Sequence, residues 1–289
     1  MKIALVGNND GPLRLYNSMK HVGLTPVFVG LQKEPSAAVL SRYEEEVEIE
    51  LNTNFQEEKL LKHLTALNER PDLIMNCFCN FKFVQLLDHY IVLNVHPSPL
   101  PLYRGRHPLH WALINGEQSF GISIHEMTQD FDAGAIYWQK MIRVPKACSV
   151  QLLRERLMKE LESDFGSFLK RYIHEEIIPI PNPREKATYI KRRYPADSEL
   201  TEWNDGAMIY RKIHALKSED HPAFIHLNEQ KIPIFDAEMS LGKAETVSKV
   251  TITKVNPDGI LVTSKDGRIL TLRIKHPEDY SLEKNQVIS

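Results

Sequence analysis

The chain predicts an α/β protein with a mostly parallel sheet, followed by a smaller antiparallel β-domain. Three observations carry that prediction. Short apolar, β-branched runs alternate with amphipathic helical segments through residue 174, the pattern of strands joined by crossover helices. The proline-rich run at residues 177–183, IIPIPNP, then breaks the alternation. Beyond Ala223 the texture changes to short strands separated by the turn signals Asn256-Pro257-Asp258-Gly259 and Lys265-Asp266-Gly267. These boundaries divide the chain into a first domain at residues 1–179, a linker at 180–203 and a β-rich domain at 204–289.

Taken in order, residues 2–7 read as a strand and Gly7-Asn8-Asn9-Asp10-Gly11 as a turn. Residues 12–22 have helical spacing and stop at Gly23. Residues 25–31 are a second strand, 36–43 a short helix, 47–51 a third strand and 57–69 a charged helix. A buried strand is expected at 72–78 (DLIMNCF), a short helix at 82–87 and a buried strand from Ile91. Strands at 120–127 (FGISIHEM) and 135–144 flank a polar loop, and Ser149 caps a long helix at 150–174. A helix at 207–216 precedes the strands AFIHL, KIPIFDAEM, KVTITKV, GILVTS and RILTLRIK, which predict a small antiparallel, barrel-like domain.

Composition narrows the function classes. Thirty-six basic against 38 acidic side chains give a net charge of −2, without the overall basic footprint expected of a nucleic-acid binder. Three cysteines, Cys77, Cys79 and Cys148, fit reduced thiols better than a disulfide framework. Met1-Lys2 runs straight into a strand and no apolar run approaches a membrane span, so a soluble, cytoplasmic protein is expected. The turn GNNDG is not G-x-G-x-x-G, which argues against an NAD-dependent oxidoreductase. It still offers backbone N–H groups at a helix start, where a phosphate could bind. Cys77-x-Cys79 and His107-x-x-His110 lack further ligands at useful spacing, and no metal is expected.

The chemistry concentrates at residues 91–116, IVLNVHPSPLPLYRGRHPLHWALING. Strand alternation puts Asn94 and His96 on one face, and the prolines at 97, 99 and 101 force the chain out of the sheet just after them. A carboxamide and an imidazole therefore stand at the carboxyl end of a buried strand, where open α/β sheets place their sites. An asparagine can donate to a developing oxyanion, and a histidine can assist loss of a proton from an attacking amine. Asp132, in the polar loop before Gly134, is the candidate carboxylate to orient the imidazole. The competing reading is a strand-end histidine satisfied by backbone and an aspartate in an Asx turn.

The pattern Asn94-x-His96-x-Ser98-x-Leu100-Pro101-x-Tyr103-Arg104-Gly105, then Pro108-x-x-Trp111-Ala112-x-x-x-Gly116, then Asp132-x-Gly134, resembles the N10-formyltetrahydrofolate-dependent formyltransferases. The resemblance implies a Rossmann-like catalytic domain, N10-formyltetrahydrofolate as co-substrate, and Asn94, His96 and Asp132 as the catalytic trio. It continues through residues 209–215 and the DGILV and DGRILTL strands, which look like the carboxyl-terminal domain of the methionyl-tRNA enzymes and some sugar enzymes. By the same resemblance Phe78, Asn80, Met127, Gln129 and Asp130 flank a pterin slot, although Phe78 and Phe81 also read as ordinary core residues.

Within that family, Gln32-Lys33-Glu34-Pro35-Ser36 replaces the basic, glycine-rich loop typical of the methionyl-tRNA enzymes. Residues 189–203, with Tyr189, Arg192 and Arg193, are similar to the linker of sugar-nucleotide formyltransferases. Two arginines beside a tyrosine can hold a diphosphate and stack a ring, against the alternative of a solvated basic linker. The expected acceptor is a nucleotide-linked deoxyamino sugar for a surface glycan such as lipopolysaccharide. Ser98, Tyr103, Arg104 and Gly105 join Tyr189, Arg192 and Arg193 as its expected contacts. The alternatives are methionyl-tRNA as acceptor, and a non-catalytic module whose β-domain mediates association. A homodimer is a further expectation from the resemblance, with no membrane partner.

Overall fold

The structure, a computed structural model, describes every residue except Phe81, Ser218, Glu219 and Ser289, so the expectation for Phe81 lies outside it. The strands β1 (Ile3–Gly7), β2 (Phe28–Leu31) and β3 (Leu51–Thr53) alternate with the helices α1 (Gly11–His21), α2 (Ala37–Glu46) and α3 (Glu57–Ala66). They continue into β4 (Leu73–Cys77) and β5 (Ile91–His96). β1 and β4 are buried at every position, Asn76 of β4 included, as strands of a sheet covered on both faces are. The short pair β6 (Arg104–Gly105), the helix α4 (Pro108–Asn115), the strands β7 (Ser119–Glu126) and β8 (Ile136–Arg143) and the long helix α5 (Val150–Ile173) follow.

These strands build one seven-stranded sheet in the order β3-β2-β1-β4-β5-β7-β8. β1 to β5 run parallel, and β7 is antiparallel to β5. Ala4, Val6, Ile74 and Val92 meet Phe28, Leu60, Leu64, Phe83 and Leu86 in a core on one face. Ser149 Oγ accepts from the Leu152 amide at the start of α5, the cap its position predicts.

Two elements differ from expectation. Residues 82–87 form no α-helix. One turn of 3₁₀ helix, Leu86–Asp88, takes its place, because Glu57 Oε1 reaches over from α3 and accepts the amides of Val84 and Leu86. The third strand lies at Leu51–Thr53 rather than 47–51, because α2 runs on to Glu46.

The strand β9 (Tyr189–Ile190) pairs in parallel with β6. Helix α6 (Gly206–Leu216), capped by Asp205 through the Met208 amide, precedes β10 (Ala223–Leu227), β11 (Gln230–Lys243), β12 (Ile252–Asn256), β13 (Gly259–Thr263) and β14 (Arg268–Ile274). These five strands form a separate antiparallel sheet in the order β10-β11-β14-β13-β12.

The chain divides into two compact units. The first comprises Met1–Gly105, Phe120–Ile142 and Glu155–Ile190, and the second Arg106–Ser119, Arg143–Arg154 and Lys191–Ser289. Among the described residues no helix is long and apolar enough to cross a membrane.

Candidate functional site

The site is a consequence of strand register in the first unit. β4 pairs with β5 so that Asn76 stands beside Asn94, and β7 pairs with β5 so that His125 stands on the other side of Asn94. Paired residues point their side chains to the same face of a sheet. Asn76, Asn94 and His125 therefore form one polar row across three strands, with His96 and Ser123 in the row beyond.

Two backbone groups fix the direction of every hydrogen bond in that row. The Cys79 amide can only donate, so the atom it meets on Asn76 is Oδ1, at 3.2 Å. Asn76 Nδ2 then donates to Asn94 Oδ1 at 2.8 Å. Asn94 Nδ2 donates to His125 Nε2 at 3.0 Å. His125 Nδ1 faces the Glu126 carbonyl at 2.8 Å and so carries that ring's proton. Asn94 is left with one Nδ2 hydrogen that has no protein partner among the described residues.

The same reasoning sets His96. Its Nε2 lies 3.0 Å from the Tyr103 carbonyl, an acceptor, so Nε2 is protonated and Nδ1 holds the lone pair. Nδ1 faces Asp132 Oδ1 at 3.6 Å, and His125 Nε2 is also 3.6 Å from that oxygen. One carboxylate oxygen thus serves two imidazoles.

The loop that carries Asp132 is held from several sides. Asp132 has φ +52°, a left-handed conformation that costs a non-glycine residue energy and needs support. Its Oδ2 accepts from the Gly105 amide at 2.8 Å. Asn182 Nδ2 donates to the carbonyls of Asp132 and Gly134 at 2.9 and 2.8 Å. Arg104, buried, donates through Nη2 to the Asn182 carbonyl and Oδ1 and through Nη1 to Tyr189 Oη. Gly134 is required here, because a Cβ would collide with the carbonyl of Glu126.

Burial and charge oppose each other at this cluster. Burial drives the His96 imidazole below its ordinary 6.5, and the Asp132 charge recovers only part of that fall. Burial by itself raises the Asp132 carboxyl. The His96 charge and the Gly105 amide outweigh it and hold the group well below the usual carboxylate range. At neutral pH the pair is a carboxylate facing a neutral imidazole whose Nδ1 is free to take a proton.

The remaining sequence-predicted residues divide. Ser98 is buried and donates to the Leu102 carbonyl. Tyr103 packs edge-on against Phe120, with ring centroids 5.1 Å apart. The Ser98, Tyr103 and Arg104 side chains and the Gly105 amide thus all have partners within the protein. The Tyr189 ring is exposed over the Arg104 guanidinium. Arg192 and Arg193 belong to the second unit. There Arg193 Nη1 donates to Ser198 Oγ at 2.6 Å, and the Arg192 guanidinium lies 5.5 Å from the centre of the Tyr194 ring.

A cavity of about 640 Å³ opens in the first unit at the amino ends of β4 and β5. Leu87, Tyr90, Val92 and Met127 give it apolar walls, and Asp72 and Glu126 give it carboxylates. Met127 connects it to the polar row, with Sδ 3.9 Å from Asn76 Nδ2. Of the five residues expected to flank a pterin, Met127 lines this cavity. Phe78, Asn80, Gln129 and Asp130 do not. The Phe78 carbonyl accepts from Asn8, the Asn80 amide donates to Gln32, and Gln129 and Asp130 are exposed.

Sequence reasoning misses His125 and Asn182. A signal for His125 exists, since Ser123 and His125 are polar at alternate positions of an otherwise apolar strand. Asn182 stands among prolines, with nothing local to mark it.

Comparison with known proteins shows the family and the fold. Residues 23–165 match the family described as formyl transferase, and residues 195–288 match the formyl transferase C-terminal domain. The chain belongs to the formyltransferase family. A similar relative is the bifunctional polymyxin resistance protein ArnA of Wigglesworthia glossinidia brevipalpis, 29% identical over 242 residues. That match takes in 81% of this chain but only 35% of that relative's length. A methionyl-tRNA formyltransferase of Malacoplasma penetrans is 26% identical over 234 residues, covering 78% of this chain and 72% of its own. Among solved structures, an N-formyltransferase from Helicobacter canadensis, in complex with folinic acid and dTDP-3-aminofucose, superposes with a TM-score of 0.72. It is 14% identical, and the match covers 95% of this chain and all of that one, which establishes the shared fold.

Proposed function

We propose that this formyltransferase-family chain moves a formyl group from N10-formyltetrahydrofolate to the amine of a nucleotide-linked deoxyamino sugar, with Asn94, His96 and Asp132 as its catalytic residues. The observation that carries the reading is the convergence of Asn94, His96, His125 and Asp132 at the carboxyl end of β5, with one Asn94 N–H uncommitted. The apolar walls and the two carboxylates, Asp72 and Glu126, of the cavity beyond Met127 suit a flat ring with an amino-amide edge. Leu87, Tyr90 and Met127 would hold the pterin, and the bound co-substrate supplies the formyl carbon and the leaving nitrogen.

The free Nδ2 hydrogen of Asn94 then meets the oxygen on which charge develops. In the transfer the amine loses a proton and the leaving nitrogen gains one. His96 Nδ1 is the atom placed to take the first. Its Nε2 is tied to the Tyr103 carbonyl, so His96 acts as base and Asn94 as oxyanion donor. Asp132 stabilises the imidazolium that forms. His125 holds the Asn94 amide, and its Nε2 lies 3.6 Å from the same Asp132 oxygen.

For the acceptor, likeness to an N-formyltransferase held in complex with dTDP-3-aminofucose supports the nucleotide sugar. The similarity to a methionyl-tRNA enzyme supports a second reading, formylation of methionyl-tRNA. Donor deformylation followed against nucleotide-linked 3-amino and 4-amino sugars, with formylatable methionyl-tRNA in parallel, separates the two. Turnover on a sugar is expected. Turnover on the tRNA alone overturns the sugar assignment.

A further inference from the structure

We propose that Asn76 is a positioning residue that sets which way round the Asn94 amide faces, and so whether the site presents a hydrogen-bond donor or an acceptor. The proposal rests on the oxyanion role assigned to Asn94 above. An asparagine amide is nearly symmetric in shape, and packing alone does not distinguish its oxygen from its nitrogen. Something polar has to choose.

At Asn94 the amide is oriented through Asn76 on one side and through His125 on the other, and Asn76 is the partner with no alternative tautomer. Asn76 is 2% exposed, and its Oδ1 is claimed by the Cys79 amide. Its Nδ2 therefore has to face Asn94, and Asn94 answers with Oδ1. The other Asn76 hydrogen points to Met127 Sδ at 3.9 Å. Both hydrogens of Asn76 are thus spoken for, which leaves it no donor for a substrate and gives it an orienting role. On the far side His125 could either accept or donate at Nε2, depending on its tautomer. The Glu126 carbonyl, 2.8 Å from Nδ1, favours the accepting form, so in the native chain His125 agrees with the orientation that Asn76 sets. From the Cys79 amide the direction of the row passes through Asn76 to Asn94, and replacing Asn76 by an acceptor sets that end against the Glu126 end.

The test is Asn76→Asp, which keeps the shape and replaces the donor by an acceptor. One carboxylate oxygen still receives the Cys79 amide, and the other now faces Asn94. The Asn94 amide turns over to donate to it and presents Oδ1 to His125, which must donate from Nε2. The site then offers a carbonyl oxygen where it offered N–H. Two readouts are expected. Nitrogen-15 spectra of the free protein show His125 protonated at Nδ1 in the native chain and at Nε2 in the variant. The kcat falls about 100-fold, the scale of losing one oxyanion donor, while KM for the acceptor changes little.

Asn76→Leu removes the donor without placing an acceptor opposite Asn94. It should keep His125 protonated at Nδ1 and lose about tenfold in kcat, and it decides the matter if Asn76→Asp does not fold. A kcat within threefold of native in either folded variant overturns the proposal. So does an unchanged His125 tautomer in Asn76→Asp, or equal losses in the two variants, which would mark a packing role. The tautomer is read without substrate. A reversal in a protein that transfers no formyl group would therefore leave the orientation argument standing and remove the functional reading instead.

Discussion

Replacing Asp132 by Asn removes one negative charge and keeps the side chain's shape. Asp132 Oδ1 stands 3.6 Å from His96 Nδ1, and the two side chains are only 13% and 7% exposed. Unit charges at that separation interact by about 4 to 5 kcal/mol at an effective dielectric constant of about 20. That energy is absent while His96 is neutral and appears only as the imidazole takes the proton, so it lowers the barrier rather than the ground state. At 1.4 kcal/mol per decade the loss is about 10³-fold, and residual solvent screening brings the expectation to about 10²- to 10³-fold in kcat.

The pH profile adds a sign. His96 must be neutral to accept a proton, and burial already holds it below 6.5 while Asp132 opposes that fall. Without the carboxylate the opposition is gone, so the acid limb of kcat/KM moves to lower pH, not higher. The assay is formyl transfer across pH 4 to 9 with native protein and Asp132→Asn. A loss smaller than tenfold, or an acid limb displaced toward higher pH, would refute the assignment of His96 as the base.

Two further outcomes follow from the surroundings. Asn182→Ala strips the donors from the Asp132 and Gly134 carbonyls, so it should cost about 1 to 3 kcal/mol of stability in urea unfolding and lower kcat with it. Leu87→Trp should fill the cavity beside Met127 and weaken folate binding at least tenfold by calorimetry, with the unfolding midpoint little changed.

Much of the fold, and the centre of the site, is legible in the amino-acid sequence. The apolar runs at residues 72–78 and 91–96 are buried strands, and the prolines after His96 end β5 where expected. Asn94 and His96 share a face because strand alternation is local. Register is not legible in this way. That Asn76 and His125 flank Asn94 depends on how three strands distant in sequence are offset, and one residue of slip would turn each side chain to the other face. Asn182 is a stronger case, since its partners lie 48 and 50 positions earlier. The predicted acceptor contacts show a different limit. The motif containing Ser98, Tyr103 and Arg104 is recognisable from its pattern, but a pattern does not separate side chains that touch a ligand from those that hold the loop. The helix expected at 82–87 gives way to Glu57, a tertiary partner no local propensity reveals.

The most direct test of the account is a single-turnover measurement with carbon-13-labelled N10-formyltetrahydrofolate and the acceptor found to turn over. Native protein is compared with Asn94→Ala, and donor affinity is measured separately. The account predicts that label appears on the acceptor nitrogen, that Asn94→Ala slows this step by about 10²- to 10³-fold, and that donor binding is little changed. Transfer at the native rate by Asn94→Ala would contradict it, because the uncommitted N–H at the end of β5 would then contribute nothing to the chemistry.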